Sequence, residues 1–246
     1  MIKRLVRRIL EAQGFAVYNA RQPHIFSEDG LSTYHVHSFV DEPGFKAAYA
    51  RSVQANAGRD HHMRWRAHVA YWVATQAARL PGDFVECGVS TGFLMSGQMQ
   101  KLGWNALGKN AWLFDTWSGL DERFIDDNTP EKERLSAYKE LDLDAVRANF
   151  AEFERVTFVP GPVPETLEQV TIGSVAYLSL DMNNTLPEIA ALKHFWPKLV
   201  PGGFVLMDDY AYAGYEPQHH AFNAWAAGEG LEILSLPTGQ GLLLKS

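Results

Sequence analysis

Cysteine is almost absent from this sequence. The chain has 246 residues and one cysteine, Cys87, so no internal disulfide can form. Proteins without disulfides are typical of reducing compartments, and we therefore expect a cytoplasmic protein. No apolar run approaches the roughly 20 residues that a membrane-spanning helix needs, so the sequence predicts no membrane span.

Positive charge is also scarce. Lys and Arg number 22 against 29 Asp and Glu, which leaves a net charge of −7. A nucleic-acid partner requires clustered basic side chains to neutralise phosphates, and this balance argues against one. The chain also lacks a G-x-G-x-x-G dinucleotide fingerprint and the lysine of a P-loop. These absences leave a small molecule as the expected partner.

The N-terminal segment "MIKRLVRRILEAQGF" is the basic exception. Its apolar residues recur at helical spacing, without the unbroken apolar core of a signal peptide. They are Ile2, Leu5, Val6, Ile9 and Leu10. Two interpretations are open: a helix on an anionic membrane, or a helix docked on the domain or on a second subunit. We favour docking, and with it a homo-oligomer.

Short apolar runs and helical stretches alternate along the rest of the chain. The strand-like runs are 84–88, 111–115, 156–160, 175–181 and 204–208, and the helical stretches are about 60–80, 92–102, 142–153, 186–199 and 217–228. This alternation predicts βαβ units and a parallel sheet. Residues 231–246 hold two strand-like runs across a Pro-Thr-Gly-Gln-Gly turn, which predicts a hairpin at the sheet edge.

Acidic residues follow the ends of most of these strands. Glu86 and Asp115 lie at the ends of the first two, Asp181 ends the fourth, and Asp208 and Asp209 follow the fifth. Ligands of open parallel sheets bind beyond the carboxyl ends of the strands. The sequence therefore predicts an acidic site at this edge.

The turn "ECGVSTGF" (86–93) would contact a ligand first. Gly88 and Gly92 allow a tight turn and a close approach of a ligand to the backbone; the alternative is a tight turn without a ligand. Asp115 can accept two ribose hydroxyl groups, and its alternative role is a helix or turn cap. Together these residues fit a bound nucleoside.

Asp181, Asp208 and Asp209 come from two strands that we expect to be neighbours in the sheet. Three carboxylates brought together repel one another unless a cation balances them. Ligands that offer only oxygen favour Mg²⁺, Mn²⁺ or Ca²⁺ over zinc. The alternative for the Asp-Asp-Tyr segment is a solvated turn.

Four segments together resemble a known family. They are "GDFVECGVSTGF", "LFDTWSGL", "LSLDMNN" and "PKLVPGGFVLMDDY". They are similar to class I S-adenosylmethionine-dependent methyltransferases, and more closely to the macrocin-type sugar O-methyltransferases. The resemblance covers about 81–246. It implies an α/β, Rossmann-like sheet of seven mostly parallel strands, with an antiparallel C-terminal hairpin and helices on both faces. A helical N-terminal cap, 1–80, would precede this methyltransferase domain.

The resemblance implies where the cofactor lies. Glu86 and Gly88 would run along its methionine and ribose part, Asp115 would hold the ribose, and Trp117 and Gly161 would flank the adenine. The predicted cofactor-binding set is Glu86, Cys87, Gly88, Ser90, Thr91, Gly92, Asp115, Thr116, Trp117 and Gly161. One departure from the family is Phe93, where paired glycines are common, so the hydroxyl groups of Ser90 or Thr91 would hold the methionine end.

The resemblance also implies a catalytic centre. Asp181, Asp208 and Asp209 would bind Mg²⁺ or another hard divalent cation, and Asp181 would take the proton of the acceptor. His219, soon after the Asp-Asp-Tyr segment, is an alternative base. A second departure is Asn183, which stands where the family often has another acid and which weakens the metal prediction.

The sequence thus predicts a divalent-metal-assisted O-methyltransferase that acts on a hydroxyl group of a small molecule, a sugar or a glycosylated metabolite. The 116–135 segment would be a lid, and the first 80 residues would select the acceptor. Three alternatives stay open: a catechol-type methyltransferase, an NAD-dependent oxidoreductase, and a non-catalytic protein that binds the cofactor.

Overall fold

The computed structural model describes residues 2–14, 26–119, 121–124 and 141–246. Helix α1 spans Ile2–Ala12, and a small hairpin follows, with β1 at Phe26–Glu28 and β2 at Leu31–Thr33. Helices α2, Pro43–Ala55, and α3, Arg64–Ala77, then lead into the main sheet. None of the described helices is both long and apolar enough to cross a membrane.

The main sheet has seven strands in the order β5-β4-β3-β6-β7-β9-β8. They are β3 (Asp83–Cys87), β4 (Ala111–Asp115), β5 (Val156–Pro160), β6 (Val175–Leu180), β7 (Leu199–Met207), β8 (Leu234–Ser235) and β9 (Gly241–Leu244). Strands β3 to β7 pair in parallel, and β9 runs antiparallel to both β7 and β8. The predicted mostly parallel sheet with a C-terminal hairpin is confirmed.

Helices cover both faces because the buried strands are apolar on both sides. Phe84 and Tyr177 point into one core, which α2, α3 and the helix α4 (Phe93–Leu102) cover. Their neighbours Val85 and Leu178 point into the other core, beneath α6 (Thr185–Phe195) and α7 (Glu216–Gly228). This alternation with a period of two is what a pleated strand imposes on its side chains.

The remaining helix, α5, spans Leu143–Asn149 and packs through Val146 on the first core. The predicted lid, 116–135, lies for the most part outside the described residues. Helices α2 and α3 share one core with the sheet, and the division of the chain at residue 80 stays a prediction.

Gly88 fixes how closely the end of β3 approaches the end of β6. Its φ is +90°, and a Cβ atom on it would lie 1.8 Å from the carbonyl oxygen of Asp181. Gly92 has φ +87°, and a Cβ there would meet the Phe150 ring at 2.3 Å. Internal packing therefore requires both glycines, whatever ligand binds above them.

This packing predicts the cost of two matched substitutions. Gly88→Ala combines a left-handed backbone with a backbone clash, so we expect it to lower the free energy of unfolding by more than about 3 kcal/mol. Gly103→Ala is the control, because its φ is +60° but nothing lies within 4 Å of the added Cβ; about 1 kcal/mol is expected there. Chemical denaturation measures both, and equal losses would contradict the close approach.

Candidate active site

The acidic strand ends meet around one cavity. It has a volume of about 820 Å³ and lies at the carboxyl ends of the parallel strands. The predicted site residues that line it are Glu86, Gly88, Ser90, Thr91, Asp115, Thr116, Gly161, Asp181, Asp208 and Asp209. Parallel pairing brings them together, since Leu180 of β6 is in register with Met207 of β7 directly before the acids. The expected neighbourhood of these two strands is thus correct.

Asp115 joins two loops at one end of the cavity. Its Oδ2 accepts the backbone N–H groups of Val89 (2.7 Å) and Ser90 (2.8 Å), and its Oδ1 accepts that of Trp117 (2.8 Å). Burial raises the pKa of Asp115, and these N–H groups oppose the rise because they favour the charged form. The carboxylate acts as a turn cap, one of the two predicted roles, and it also lines the cavity; ribose binding stays a prediction.

The two loop residues that Asp115 holds have unusual backbones. Ser90 has φ 51° and Trp117 has φ 45°, in the left-handed region that costs residues other than glycine about 1–3 kcal/mol. The indole Nε1–H of Trp117 donates to the carbonyl oxygen of Ser90 at 3.0 Å and ties the loops together again. The cavity wall is therefore shaped before any ligand binds.

Glu86 carries a buried carboxylate oxygen that lacks a partner. Its Oε2 accepts no hydrogen bond from the part of the chain that the structure describes. Burial, followed by the charges of Asp115 and Asp208, raises the pKa of Glu86 well above its usual range. Buried oxygens are rarely left unpaired. A ligand with a positive group or a hydroxyl donor could pair with this oxygen, and S-adenosylmethionine offers both.

Three of the predicted cofactor residues do not line the cavity. The Cys87 side chain is fully buried in the core under α6 and α7, on the opposite side of β3 from Glu86, because side chains alternate along the strand. Trp117 packs its ring against Phe158, and Gly92 lies behind the wall, against Phe150. Their part in cofactor binding stays a prediction. Because the Cys87 side chain points into the core, only the backbone of this residue could contact a cofactor.

At the other end of the cavity, Arg66 of α3 contacts the acids. Its guanidinium donates from Nη1 to Asp208 Oδ2 at 2.6 Å and lies 3.7 Å from Asp209 Oδ1. The same group donates from Nε to Asp29 Oδ2 at 2.8 Å and from Nη2 to Asp29 Oδ1 at 3.1 Å. Burial disfavours the charge of Arg66, but the carboxylates outweigh it and raise its pKa. Arg66 is thus a buried, permanently charged cation.

Asp29 reaches the site from the tip of the small hairpin. It has φ 51° in the Asp-Gly turn, and its Oδ1 accepts the phenolic O–H of Tyr212 at 2.9 Å. The Tyr212 ring lies 4.8 Å from the Arg66 guanidinium. The sequence analysis missed Asp29: the "EDGL" turn signals a hairpin, but no local signal places that hairpin over a sheet edge 180 residues later in the chain.

Asp181 is half-buried and has fewer compensating contacts. Burial and then the charges of Asp208 and Asp209 raise its pKa well above the usual range, against the opposing charge of Arg66. Asn183 donates to Asp181 Oδ1 at 3.4 Å, and the Tyr215 hydroxyl donates to Asn183 Oδ1 at 2.7 Å. The amide in place of the acid expected there therefore adds a donor beside Asp181 rather than another charge.

The acids fit a hard divalent cation in their chemistry. They offer only oxygen donors, they line one cavity, and the carboxylates that line it outnumber its two guanidinium groups, those of Arg59 and Arg66. Both oxygens of Asp208 already accept hydrogen bonds, from Arg66 at 2.6 Å and from the Gln240 amide at 2.9 Å. As arranged, no group of three or more acidic, His or Cys side chains among the described residues forms a metal site.

His219 stands apart from the cavity lining. It lies in the first turn of α7, where its Nδ1 is 3.0 Å from the Tyr210 carbonyl oxygen and its ring is 4.5 Å from that of Tyr210. A carbonyl accepts only, so Nδ1 carries the proton and donates. This contact orients the ring within the loop; a role as a base stays a prediction.

A family model described as macrocin-O-methyltransferase (TylF) matches residues 58–231. The chain belongs to this family. The match begins before α3, so it includes Arg66 as well as the acidic strand ends.

Two curated relatives are O-methyltransferases by name, and the name of one includes a rhamnosyl group. One, from Streptomyces olivaceus, is the 8-demethyl-8-(2,3-dimethoxy-alpha-L-rhamnosyl)-tetracenomycin-C 4'-O-methyltransferase, 33% identical over 58% of this chain and 59% of the relative. The other is mycinamicin III 3''-O-methyltransferase of Micromonospora griseorubida, 26% identical over 58% of this chain and 61% of the relative. The chain spans about three fifths of the length of these relatives.

Solved structures share the fold. The O-methyltransferase NovP aligns with a TM-score of 0.67 at 20% identity, over 85% of this chain and 98% of that chain. The calicheamicin methyltransferase CalS11 aligns with a TM-score of 0.57 at 18% identity, over 85% of this chain and 94% of that chain.

Glu188 is a buried acid that the sequence analysis did not select. Its Oε1 accepts the N–H of Met182 at 2.9 Å and so holds the loop that carries Asp181. Burial and then the charge of Asp209 raise the pKa of Glu188 to about 8. The side chain is consequently protonated in the folded protein at neutral pH.

This raised pKa predicts a pH dependence of stability. The ordinary pKa of a glutamate, about 4.3, applies in the unfolded chain, so the folded state holds an extra proton between about pH 4.5 and 8. Stability is complete below that window and falls as the pH rises through it. Glu188→Gln removes the proton exchange and should flatten the fall of the melting temperature between pH 5 and 8. The exposed Glu229→Gln is the control, and identical profiles for both variants would contradict the assignment.

Proposed function

We propose that the protein transfers the methyl group of S-adenosylmethionine to a hydroxyl group of a small molecule, a sugar or a sugar-bearing natural product. The observation that carries this proposal is the continuous cavity, with the loops held by Asp115 at one end and a cluster of acids at the other. The curated relatives are named as O-methyltransferases, and one name includes a rhamnosyl group, which supports the sugar class of acceptor.

The cofactor end of the cavity is the part around Glu86, Ser90 and Asp115. Glu86 Oε2, buried without a donor, would accept from the cofactor, and carboxylates near the sulfonium and ammonium groups favour a positively charged cofactor. The N–H groups of the loops are already occupied by Asp115, so the wall needs no rearrangement. Preorganisation of this kind lowers the entropic cost of placing the methyl group in line with the acceptor.

The acceptor end would hold a divalent cation at Asp181, Asp208 and Asp209. Such a cation supplies charge to balance the acids and lowers the pKa of a hydroxyl group bound beside it. Support comes from the surplus of negative charge among these acids. Arg66 contacts Asp208 and Asp209, and the neighbouring charges of these two acids raise the pKa of Asp181.

Asp181 would receive the proton of the acceptor. It ends β6 between Glu86 on the cofactor side and Asp208 on the other, so a hydroxyl beside it lies next to the methyl donor. The raised pKa brings Asp181 closer to neutral pH, where a general base is most effective. Asn183 and Tyr215, which form one hydrogen-bonded chain with it, would orient the carboxylate.

The other interpretations have less support. The catechol-type methyltransferase shares the acids and the cation, but the name of one curated relative includes a rhamnosyl group. An NAD-dependent oxidoreductase does not account for the acids, and a non-catalytic cofactor binder does not account for Asp181 in the cavity.

A cytoplasmic homo-oligomer whose first 80 residues select the acceptor is part of the proposal.

The first test is methyl transfer from labelled S-adenosylmethionine to a panel of glycosides and catechols. We expect label in a sugar hydroxyl, and we expect Asp181→Asn to lower kcat by about 10²–10⁴-fold with S-adenosylhomocysteine binding retained. The control is Asp144→Asn, an exposed acid of α5 that does not line the cavity. Label that appears only in catechols would contradict the sugar class, and an active Asp181→Asn would contradict the base.

The second test concerns the cation and Arg66. Arg66→Met leaves Asp208 without its charged partner, which we expect to cost about 3–5 kcal/mol. If a divalent cation shares these acids, Mg²⁺ should raise the melting temperature of Arg66→Met more than that of the unchanged protein. The rise for Arg66→Lys should lie between these two values. Arg64→Met, on the same helix, is the control. Equal effects of Mg²⁺ on all variants, together with full activity in EDTA, would contradict the role of the cation. The proposed methyl transfer would still stand.

A further inference from the structure

Helix α1 presents an apolar face to solvent. Leu5 is 60% exposed, Ile9 54%, Val6 48% and Leu10 37%. These four side chains share one face because they recur at spacings of one, four and five along a helix. The domain does not cover that face, so docking on the domain, which the sequence analysis included in its favoured interpretation, does not occur here.

The opposite face of α1 is charged. Arg4, Arg7 and Arg8 are all exposed there, and Glu11 is paired with Arg7 at 2.7 Å. The surplus of positive charge contrasts with the net charge of −7 of the whole chain. Apolar and basic residues are therefore sorted onto two faces of one short helix, in a protein that is otherwise acidic.

A second copy of the helix is a poor occupant for this face. Pairing two α1 helices through their apolar faces would bring their flanking arginines together, and like charges repel. The helix has 11 residues and is about 16 Å long. A pair of such helices offers less apolar area than the roughly 1,200 Å² that a stable interface buries.

An anionic bilayer fits both faces at once. A helix that lies in the interface buries its apolar side chains at the boundary of the acyl chains, while its arginines reach the lipid phosphates. Leu, Ile and Val supply the first contact in α1, and Arg4, Arg7 and Arg8 the second. The segment lies before residues 58–231, the part of the chain that matches the family model.

We propose that residues 2–12 bind parallel to the surface of an anionic phospholipid bilayer and hold the enzyme there. The interaction is peripheral, since the apolar face is one side of the helix and its length is short of a span. The proposal rests on the exposed apolar face and on the arginines of the opposite face, and it is independent of the proposed methyl transfer.

Sedimentation of the full-length protein with phospholipid vesicles tests this proposal. We expect it to pellet with vesicles of one quarter phosphatidylglycerol in phosphatidylcholine, and to remain in solution with phosphatidylcholine alone. Leu5→Glu combined with Ile9→Glu should lower the bound fraction at least tenfold. Arg4→Gln combined with Arg8→Gln should lower it several-fold, and added salt should do the same for the unchanged protein because the charges are exposed.

Val36→Glu is the matched control, since Val36 is 84% exposed and lies outside the helix; its binding should be unchanged. All the substituted side chains are exposed, so melting temperatures should stay equal and exclude misfolding as a cause. Absence of binding to anionic vesicles, or unchanged binding of Leu5→Glu with Ile9→Glu, would overturn the proposal. So would light scattering that shows a dimer lost in that variant, which would assign the face to a second copy.

Discussion

The architecture of this protein depends on a surplus of buried and half-buried carboxylates at one edge of a parallel sheet. Carboxylates cost free energy when buried unless cations or donors compensate them. Asp115 is compensated by backbone N–H groups, and Asp208 by Arg66 and Gln240. Glu86 and Asp181 are compensated less, and their raised pKa values are the consequence. The uncompensated charge lies where a cationic cofactor and a cation would be held.

The fold produces this surplus through its topology. Five parallel strands end at the same edge, so residues far apart in the chain meet there with no further requirement than correct register. The elements before the sheet then complete the cavity: α3 contributes Arg66, and the hairpin contributes Asp29. Arg66 thus comes from the N-terminal region, whereas most of the acids come from the strand ends. Both parts of the chain form the cavity.

The sequence predicted the strand ends well and the partners of the acids poorly. Alternating elements and acids after apolar runs are local patterns, so the sheet and the convergence of Asp181 with Asp208 followed from them. The Arg66–Asp208 pair joins residues 142 apart in the chain, and Asp29 reaches Arg66 from the tip of a hairpin. No local sequence pattern predicts either contact. Cys87 was assigned by its place beside Glu86, although the strand's alternation turns its side chain into the core.

The proposal that a divalent cation binds among these acids can be measured directly. Calorimetric titration of the intact protein with Mg²⁺ at pH 7, in two buffers of different ionisation enthalpy, counts the protons released on binding. Groups with raised pKa values lose their protons when a cation neutralises the site. The account predicts proton release that is smaller in Asp181→Asn, whereas binding heats that are identical in the two buffers would contradict it.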